Sequence, residues 1–295
     1  MLRPFELHQP ASVAEASRLR GRYGDDAGFY AGGTELLLVM KEGLLRYAHL
    51  IDLKTIPALD GIAHDASSNA LRIGALATHT AIERSPVVER HFPLLAEVEQ
   101  TVANVRVKNV GTIGGNLCFA EPHADPGTLC VACEAAVRLE GPSGGRDLSA
   151  DEFFVGAYET ARGADEVVTE VRLPLPGPHT RGAYMKFGFH ERPTLGVAVV
   201  LTLDPGHAHV VESRVAVGCV NPRPARLREV EAKIDGRTVA DVLRTLDEIS
   251  QVVDGAVTPA DDLHGSAEYK TEMTKVFVRR GIRAACARFN GRRTS

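Results

Sequence analysis

Two short glycine-rich strings carry the most legible chemistry in this chain. Ala31-Gly32-Gly33-Thr34 and Thr112-Ile113-Gly114-Gly115-Asn116 each set a glycine pair beside hydroxyl or amide side chains. Successive backbone N–H groups in a tight turn form a concave anion site, and glycine lets a phosphate approach where a Cβ would block it. Phe29-Tyr30-Ala31 reads as a strand running into the first pair. Behind it, Leu36, Val39 and Met40 sit at helical spacing, so a helix starting near Thr34 adds its positive end. A lone Gly-Gly-Thr serves equally well as a structural turn. The second string shifts the balance, because Thr112 and Asn116 suit phosphate and ribose oxygens. Neither string has the three glycines of a Rossmann turn, and no lysine follows the glycines as in a P-loop. Two glycine turns roughly eighty residues apart instead suit a dinucleotide whose diphosphate lies in a cleft between two subdomains.

Alternating small strands and helices must position these turns. Ser12-Val13-Ala14-Glu15 is a capping box that opens a helix bearing Val13, Ala16 and Leu19 on one face, and Gly43 is a C-terminal stop for the helix behind the first turn. Leu50 to Leu53 and Leu71 to Ile73 read as strands. Leu94, Leu95, Val98 and Val102 mark a helix, and Pro126 to Ala136 another. Val137 to Leu139 and Val167 to Leu173 read as strands. Pro174-Leu175-Pro176-Gly177-Pro178 resists both helix and central strand and is the best linker in the chain. Beyond it, Ala183 to Phe189, Gly196 to Leu203 and Val210 to Val220 read as strands, with a turn at Asp204-Pro205-Gly206. Helices near Ala225 to Ile234, Val239 to Val253 and Ala267 to Phe289 fill the remainder. The last carries apolar residues on two faces, so it is either buried on both sides or bent near Gly281. The expected division is 1–54 and 55–176 as two subdomains and 179–290 as a C-terminal domain.

Composition excludes several classes. The 295 residues carry a formal net charge of −4 and only 5% aromatics with no tryptophan, which argues against a nucleic-acid groove. The longest apolar runs fall far short of the roughly 20 residues a membrane helix needs. Residues 1–6 lack the apolar core of a signal peptide. Five cysteines, an odd number, argue against a disulfide framework and for a reducing compartment. The chain reads as cytoplasmic.

The strings Ala31-Gly32-Gly33-Thr34-Glu35-Leu36 and Thr112-Ile113-Gly114-Gly115-Asn116-Leu117 resemble the paired FAD motifs of the flavin, or medium, subunit of molybdenum hydroxylases. That family includes xanthine dehydrogenase and aerobic carbon monoxide dehydrogenase. Ile73-Gly74-Ala75-Leu76-Ala77-Thr78-His79, Ala120 to Pro126 and Ser266-Ala267-Glu268-Tyr269-Lys270 match as well, and the resemblance runs from about Phe5 to Ala287. It implies an α+β fold. Two α/β FAD-binding subdomains, like those of vanillyl-alcohol oxidase (the PCMH type), precede a C-terminal antiparallel sheet with a small helical bundle. It also implies an electron-transfer module with FAD on this chain. The molybdenum pterin would sit on a large partner and the [2Fe–2S] clusters on a small partner, in a dimer of heterotrimers.

The resemblance assigns cofactor contacts residue by residue. Tyr30 and the backbone from Ala31 through Gly32, Gly33, Thr34, Glu35 and Leu36 surround the diphosphate. Thr112, Ile113, Gly114, Gly115 and Asn116 do the same, with side-chain bonds from Thr112 and Asn116. Asp125 contacts the adenosine end, its alternative being a helix cap ahead of Pro126. Val102 and Val168 give apolar contacts to flavin or adenine. Lys186 sits near the flavin ring, where a cation favours negative charge on the reduced ring; without the resemblance it is a solvated strand lysine. Glu35 matches an acidic position that is serine in other members.

No residue on this chain is assigned a catalytic or metal-binding role. Cys118, Cys130 and Cys133 offer a Cys-x-x-Cys and a third thiol. One branch of the family carries an extra [4Fe–4S] centre, but on four cysteines of an inserted loop that has no counterpart here, and Cys130 and Cys133 fall within an expected helix. His207-x-His209 reads as a hairpin end and Arg279-Arg280 as a helix face. A stand-alone FAD-dependent oxidoreductase of the same fold is the alternative function, but it needs a substrate acid or base beside the ring. A flavin-free assembly protein is a third, which the intact glycine strings and Asp125 oppose.

Overall fold

The structure, a computed structural model, describes residues 2–188 and 192–291. Its first sheet is short and parallel: β1 (Glu6–His8), β2 (Ala27–Tyr30) and β3 (His49–Asp52), in the order β1-β3-β2. The helix Val13–Tyr23 that joins β1 to β2 starts at Ser12, whose hydroxyl accepts from the Glu15 N–H at 3.2 Å. The Glu15 carboxylate accepts from Ala11 instead of Ser12, so only half of the expected capping box forms. Ala16, Ala27, Ile51, Leu53, Ile56 and Leu59 make the small core behind this sheet.

A second sheet is assembled from β4 (Ile62–Asp65), β5 (Ala70–Gly74), β6 (Ala136–Gly141), β7 (Gly144–Ser149) and β10 (Val167–Pro174), in the order β4-β5-β10-β6-β7. The hairpin β8 (Phe154–Gly156) and β9 (Glu159–Thr160) stands apart from it. β10 is central, and its Val167, Val171 and Leu173 are buried.

The third sheet is an antiparallel meander, β11 (Thr180–Phe187), β12 (Leu195–Leu203), β13 (Val210–Gly218) and β14 (Ala225–Arg226). The sequence reading extends its first strand to Phe189, which lies outside the described residues. β12 is a near-continuous apolar run because both of its faces are covered. One face carries Leu195, Val197, Val199 and Leu201 against the 22-residue helix Ala267–Arg288. That helix is continuous, and Gly281 is its point of close approach: a Cβ there would stand 2.8 Å from Val199 Cγ2. The expected helix from Val239 to Val253 is instead two helices, Val239–Arg244 and Leu246–Gln251, with a 3₁₀ turn after them. The Thr245 hydroxyl bonds back to the Asp241 carbonyl at the break.

The chain divides into two compact units, residues 1–120 with 135–173, and residues 121–134 with 174–295. Glu121 to Glu134, expected in the second subdomain, therefore belongs with the C-terminal sheet. The helix Asp125–Ala132 lies on the second face of β12 and β13, where a Cβ on Gly218 would collide with Thr128, and Cys219 N–H donates to the Pro122 carbonyl. The helix stops short of the expected Ala136 because Glu134 takes a left-handed φ of 53°. Among the described residues no helix is long and apolar enough to cross a membrane.

Candidate functional site: the glycine strings and the Asp125 cluster

In the first unit the first glycine string packs against Val110 and Gly111, the residues that lead into the second. β2 ends at Tyr30, and the chain turns through Gly33 at φ +73° before the helix Leu36–Lys41 begins. A Cβ on Gly32 would stand 2.2 Å from the Val110 carbonyl oxygen and 2.8 Å from Gly111 Cα. Only glycine permits that approach. Among the described residues, the N–H groups of Gly32, Gly33 and Thr34 donate to no protein acceptor, so three neighbouring donors remain for an anion.

The second string has a different structure from the turn read in the sequence. Thr112 is the N-cap, and Ile113 to Asn116 form the first turn of the helix Ile113–Phe119. Its amides are committed: Ile113 N–H to Ala77 O, Gly114 N–H to Ala75 O at 2.9 Å, Gly115 N–H to the Thr112 hydroxyl at 3.1 Å, and Asn116 N–H to Thr112 O. The expectation that these amides surround a phosphate is corrected by those bonds. What remains is side-chain chemistry. Asn116 Oδ1 is buried with no partner, an orphan acceptor of the kind a bound ligand satisfies. Gly114 is glycine for packing, since its Cβ would lie 2.6 Å from that of Ala75.

Two groups missed in the sequence support this arrangement. His79 and Glu99, both buried, are joined through His79 Nδ1 and Glu99 Oε2 at 2.7 Å. The His79 N–H donates to the Gly111 carbonyl, and its ring lies against the Gly111 Cα region. The pair thus braces the residue on which Gly32 rests. Glu99→Ala strands a buried imidazole N–H and is expected to cost about 1–3 kcal/mol in urea unfolding, with Glu99→Gln keeping most of that stability. Lys54 is the second group. Its ammonium meets Asp52 Oδ1 at 2.7 Å, the Ala31 carbonyl at 3.0 Å and the Tyr30 ring face at 3.6 Å, a half-exposed cation at the first turn. Val102, which follows the helix Pro93–Thr101, and Val168, at a bulge in β10, are buried.

The second unit holds its own cluster. Asp125 is the first residue of its helix, not its cap, and its side chain caps nothing. Instead Oδ1 accepts from the Tyr184 hydroxyl at 2.8 Å and Oδ2 from Lys186 Nζ at 2.7 Å. Tyr184 and Lys186 share a face of β11 as residues two apart. Gly196 makes room, since its Cβ would stand 2.3 Å from the Tyr184 oxygen. Burial pushes the Asp125 carboxyl up, while Lys186 and Tyr184 pull it down. The carboxylate and the ammonium, 2.7 Å apart, therefore act as one ion pair within this unit.

Cys130 and Cys133 are buried free thiols, and Cys118 is partly buried. Burial pushes the Cys118 thiol up and that of Cys133 to about 12, which keeps both protonated. His207 and His209 serve the β12–β13 connection, His209 through Asp204. Arg279 bonds Ser250 and Asp247, and Arg280 lies over Phe277.

Residues 3–176 match the family model described as the FAD binding domain in molybdopterin dehydrogenase, and residues 190–285 the CO dehydrogenase flavoprotein C-terminal domain. The chain belongs to the FAD-binding subunits of the molybdenum hydroxylases. It is 38% identical to the carbon monoxide dehydrogenase medium chain of Hydrogenophaga pseudoflava, over 96% of this chain and 98% of that one. It is 30% identical to the nicotine 6-hydroxylase medium subunit of Paenarthrobacter nicotinovorans, over 95% and 96%. Among solved structures, a carbon monoxide dehydrogenase from H. pseudoflava that lacks the Mo-pyranopterin moiety superposes with a TM-score of 0.92 at 37% identity, covering 98% of this chain and 99% of that chain. Quinoline 2-oxidoreductase from Pseudomonas putida 86 gives 0.89 at 27% identity, over 97% and 98%. The resemblance drawn from the sequence and its α+β fold are thereby borne out, and this flavin subunit is an oxidoreductase component.

Proposed function

We propose that this chain holds one FAD and relays electrons from [2Fe–2S] clusters on a small partner chain to an external acceptor. A large molybdenum-pterin chain is the source of those electrons, in a dimer of heterotrimers in the cytoplasm. The observation that carries the reading is the contact of Gly32 with Val110–Gly111, which sets three open amides beside the string bearing the orphaned Asn116 oxygen. When bound, the flavin takes electrons singly and stores two. The chain's own residues bind and orient it. Gly32, Gly33 and Thr34 donate to the diphosphate, flanked by Tyr30, Ala31, Glu35 and Leu36. The Thr112 hydroxyl and the Asn116 amide complete the cradle, with Ile113, Gly114 and Gly115 as its floor. Val102 and Val168 supply apolar contact, while for Asp125 and Lys186 the family resemblance alone supports a role toward the adenosine end and the ring.

The relatives named above differ in substrate, which supports a substrate site on another chain. The test is to isolate the protein with its partners, denature it and identify the released flavin. Close to one FAD per chain is expected. FMN, or no flavin from an intact assembly, overturns the reading. Turnover of an organic substrate by this chain alone favours the stand-alone oxidoreductase.

A further inference from the structure

The first sheet carries a cluster that the flavin chemistry does not use. Glu6 and His49 are paired across β1 and β3, and His8 lies two residues from Glu6 on the same face. His8 Nε2 and His49 Nδ1 are 3.0 Å apart, and Glu6 Oε2 is 3.4 Å from His49 Nδ1. One ligand atom from each of the three residues lies within 4.8 Å of the other two. An ion bound at about 2.0–2.2 Å by imidazole and carboxylate holds its donor atoms roughly 3.0–3.5 Å apart, so two edges of the triangle already have the right length. The Tyr23 ring stacks on His49 at 3.8 Å and on His8 at 4.9 Å and fixes both imidazoles. The histidine side chains are 12% and 20% exposed while Glu6 is 63% exposed, which leaves water positions open on one side.

We propose that Glu6, His8 and His49 form a binding site for a borderline divalent cation such as Zn²⁺ or Ni²⁺, through two neutral imidazoles and one carboxylate. Imidazole-rich sites select these ions over Mg²⁺ and Ca²⁺, which prefer oxygen donors. The bound ion replaces the His8–His49 hydrogen bond and ties the edge strand β1 to β3. Because the ligands must be unprotonated, binding releases protons and weakens in acid.

The test uses the untagged, FAD-loaded protein, stripped with chelator and titrated calorimetrically with Zn²⁺ alone. One ion per chain and a rise in melting temperature are expected, with affinity falling roughly tenfold or more in Glu6→Ala and in His8→Gln. Glu6 is exposed, so its variant keeps the fold, and an unchanged flavin content verifies this. Equal affinity in wild type and Glu6→Ala, or the absence of a one-to-one event in wild type, overturns the proposal and leaves a hydrogen-bonded histidine pair. Mg²⁺ at the same concentration is expected to give no heat, and equal binding of Mg²⁺ also overturns it.

Discussion

Gly32→Ala is expected to weaken the hold on FAD. The added methyl would stand 2.2 Å from the Val110 carbonyl oxygen and 2.8 Å from Gly111 Cα, and both neighbours are backbone that cannot rotate aside. The Gly111 backbone is pinned in turn, by its own N–H to Val107 O at 2.6 Å and by His79 N–H to its carbonyl at 3.1 Å. Relief must come from separating the two glycine strings. Overpacking of this kind costs about 1–3 kcal/mol. If that strain is relieved only by abandoning the bound geometry, FAD affinity falls roughly tenfold to a hundredfold. Flavin absorbance that stays with the protein through gel filtration at decreasing concentration measures it. Gly21→Ala is the control, because its Cβ meets nothing within 4 Å and the residue lies in a helix; its melting temperature should hold or rise slightly. A Gly32→Ala protein that keeps FAD as tightly as wild type would show that the strings do not share a ligand.

Much of this arrangement was legible in residue types, and the rest was hidden for identifiable reasons. The apolar run of β12 and the proline linker before β11 read directly, because burial on two faces and the absence of backbone donors leave plain marks. The second glycine string did not read as a helix, since two adjacent glycines lower helix propensity. Tertiary contact overrides that propensity here, as Gly114 presses against Ala75 and the Ala75 and Ala77 carbonyls fix the first turn. Glu99 left a usable signal: it is a carboxylate on the Leu95–Val102 apolar stripe, and such a group needs a buried partner. Tyr184 left another, two residues before Lys186 on a strand. Lys54 left none, because a lysine after a strand is ordinarily solvated. For Asp125 before Pro126 the sequence offered a cofactor contact or a cap, and only the fold could show its carboxylate turned toward β11.

The pairing of Asp125 with Lys186 gives the second large effect. Asp125 is 3% exposed, and burial already holds its carboxyl above the ordinary 3.8 despite the ammonium beside it. Lys186→Ala removes the larger of the two opposing influences and leaves a buried carboxylate with only the Tyr184 hydroxyl. Breaking one partner of a buried pair costs about 3–5 kcal/mol at neutral pH. The pH dependence has a definite sign. A carboxyl whose folded pKa is raised holds its proton better folded than unfolded, so stability is lost as pH climbs from 3.8 through the raised value. In the variant that value moves higher still. Its deficit against wild type should therefore be largest at neutral pH and shrink as acid neutralises the orphaned group. Urea unfolding at pH 7.5 and pH 5 reads this directly. The double variant Asp125→Asn with Lys186→Ala should recover much of the loss, because the buried carboxylate is gone together with the ammonium. A deficit that is equal at both pH values and unrelieved in the double variant would mean that the ion pair is not what stabilises this face of β11. FAD affinity and flavin potential then separate the two roles of the lysine. If both stay at wild-type values in the double variant, Lys186 has no part at the flavin ring, and its place in the fold is to neutralise Asp125.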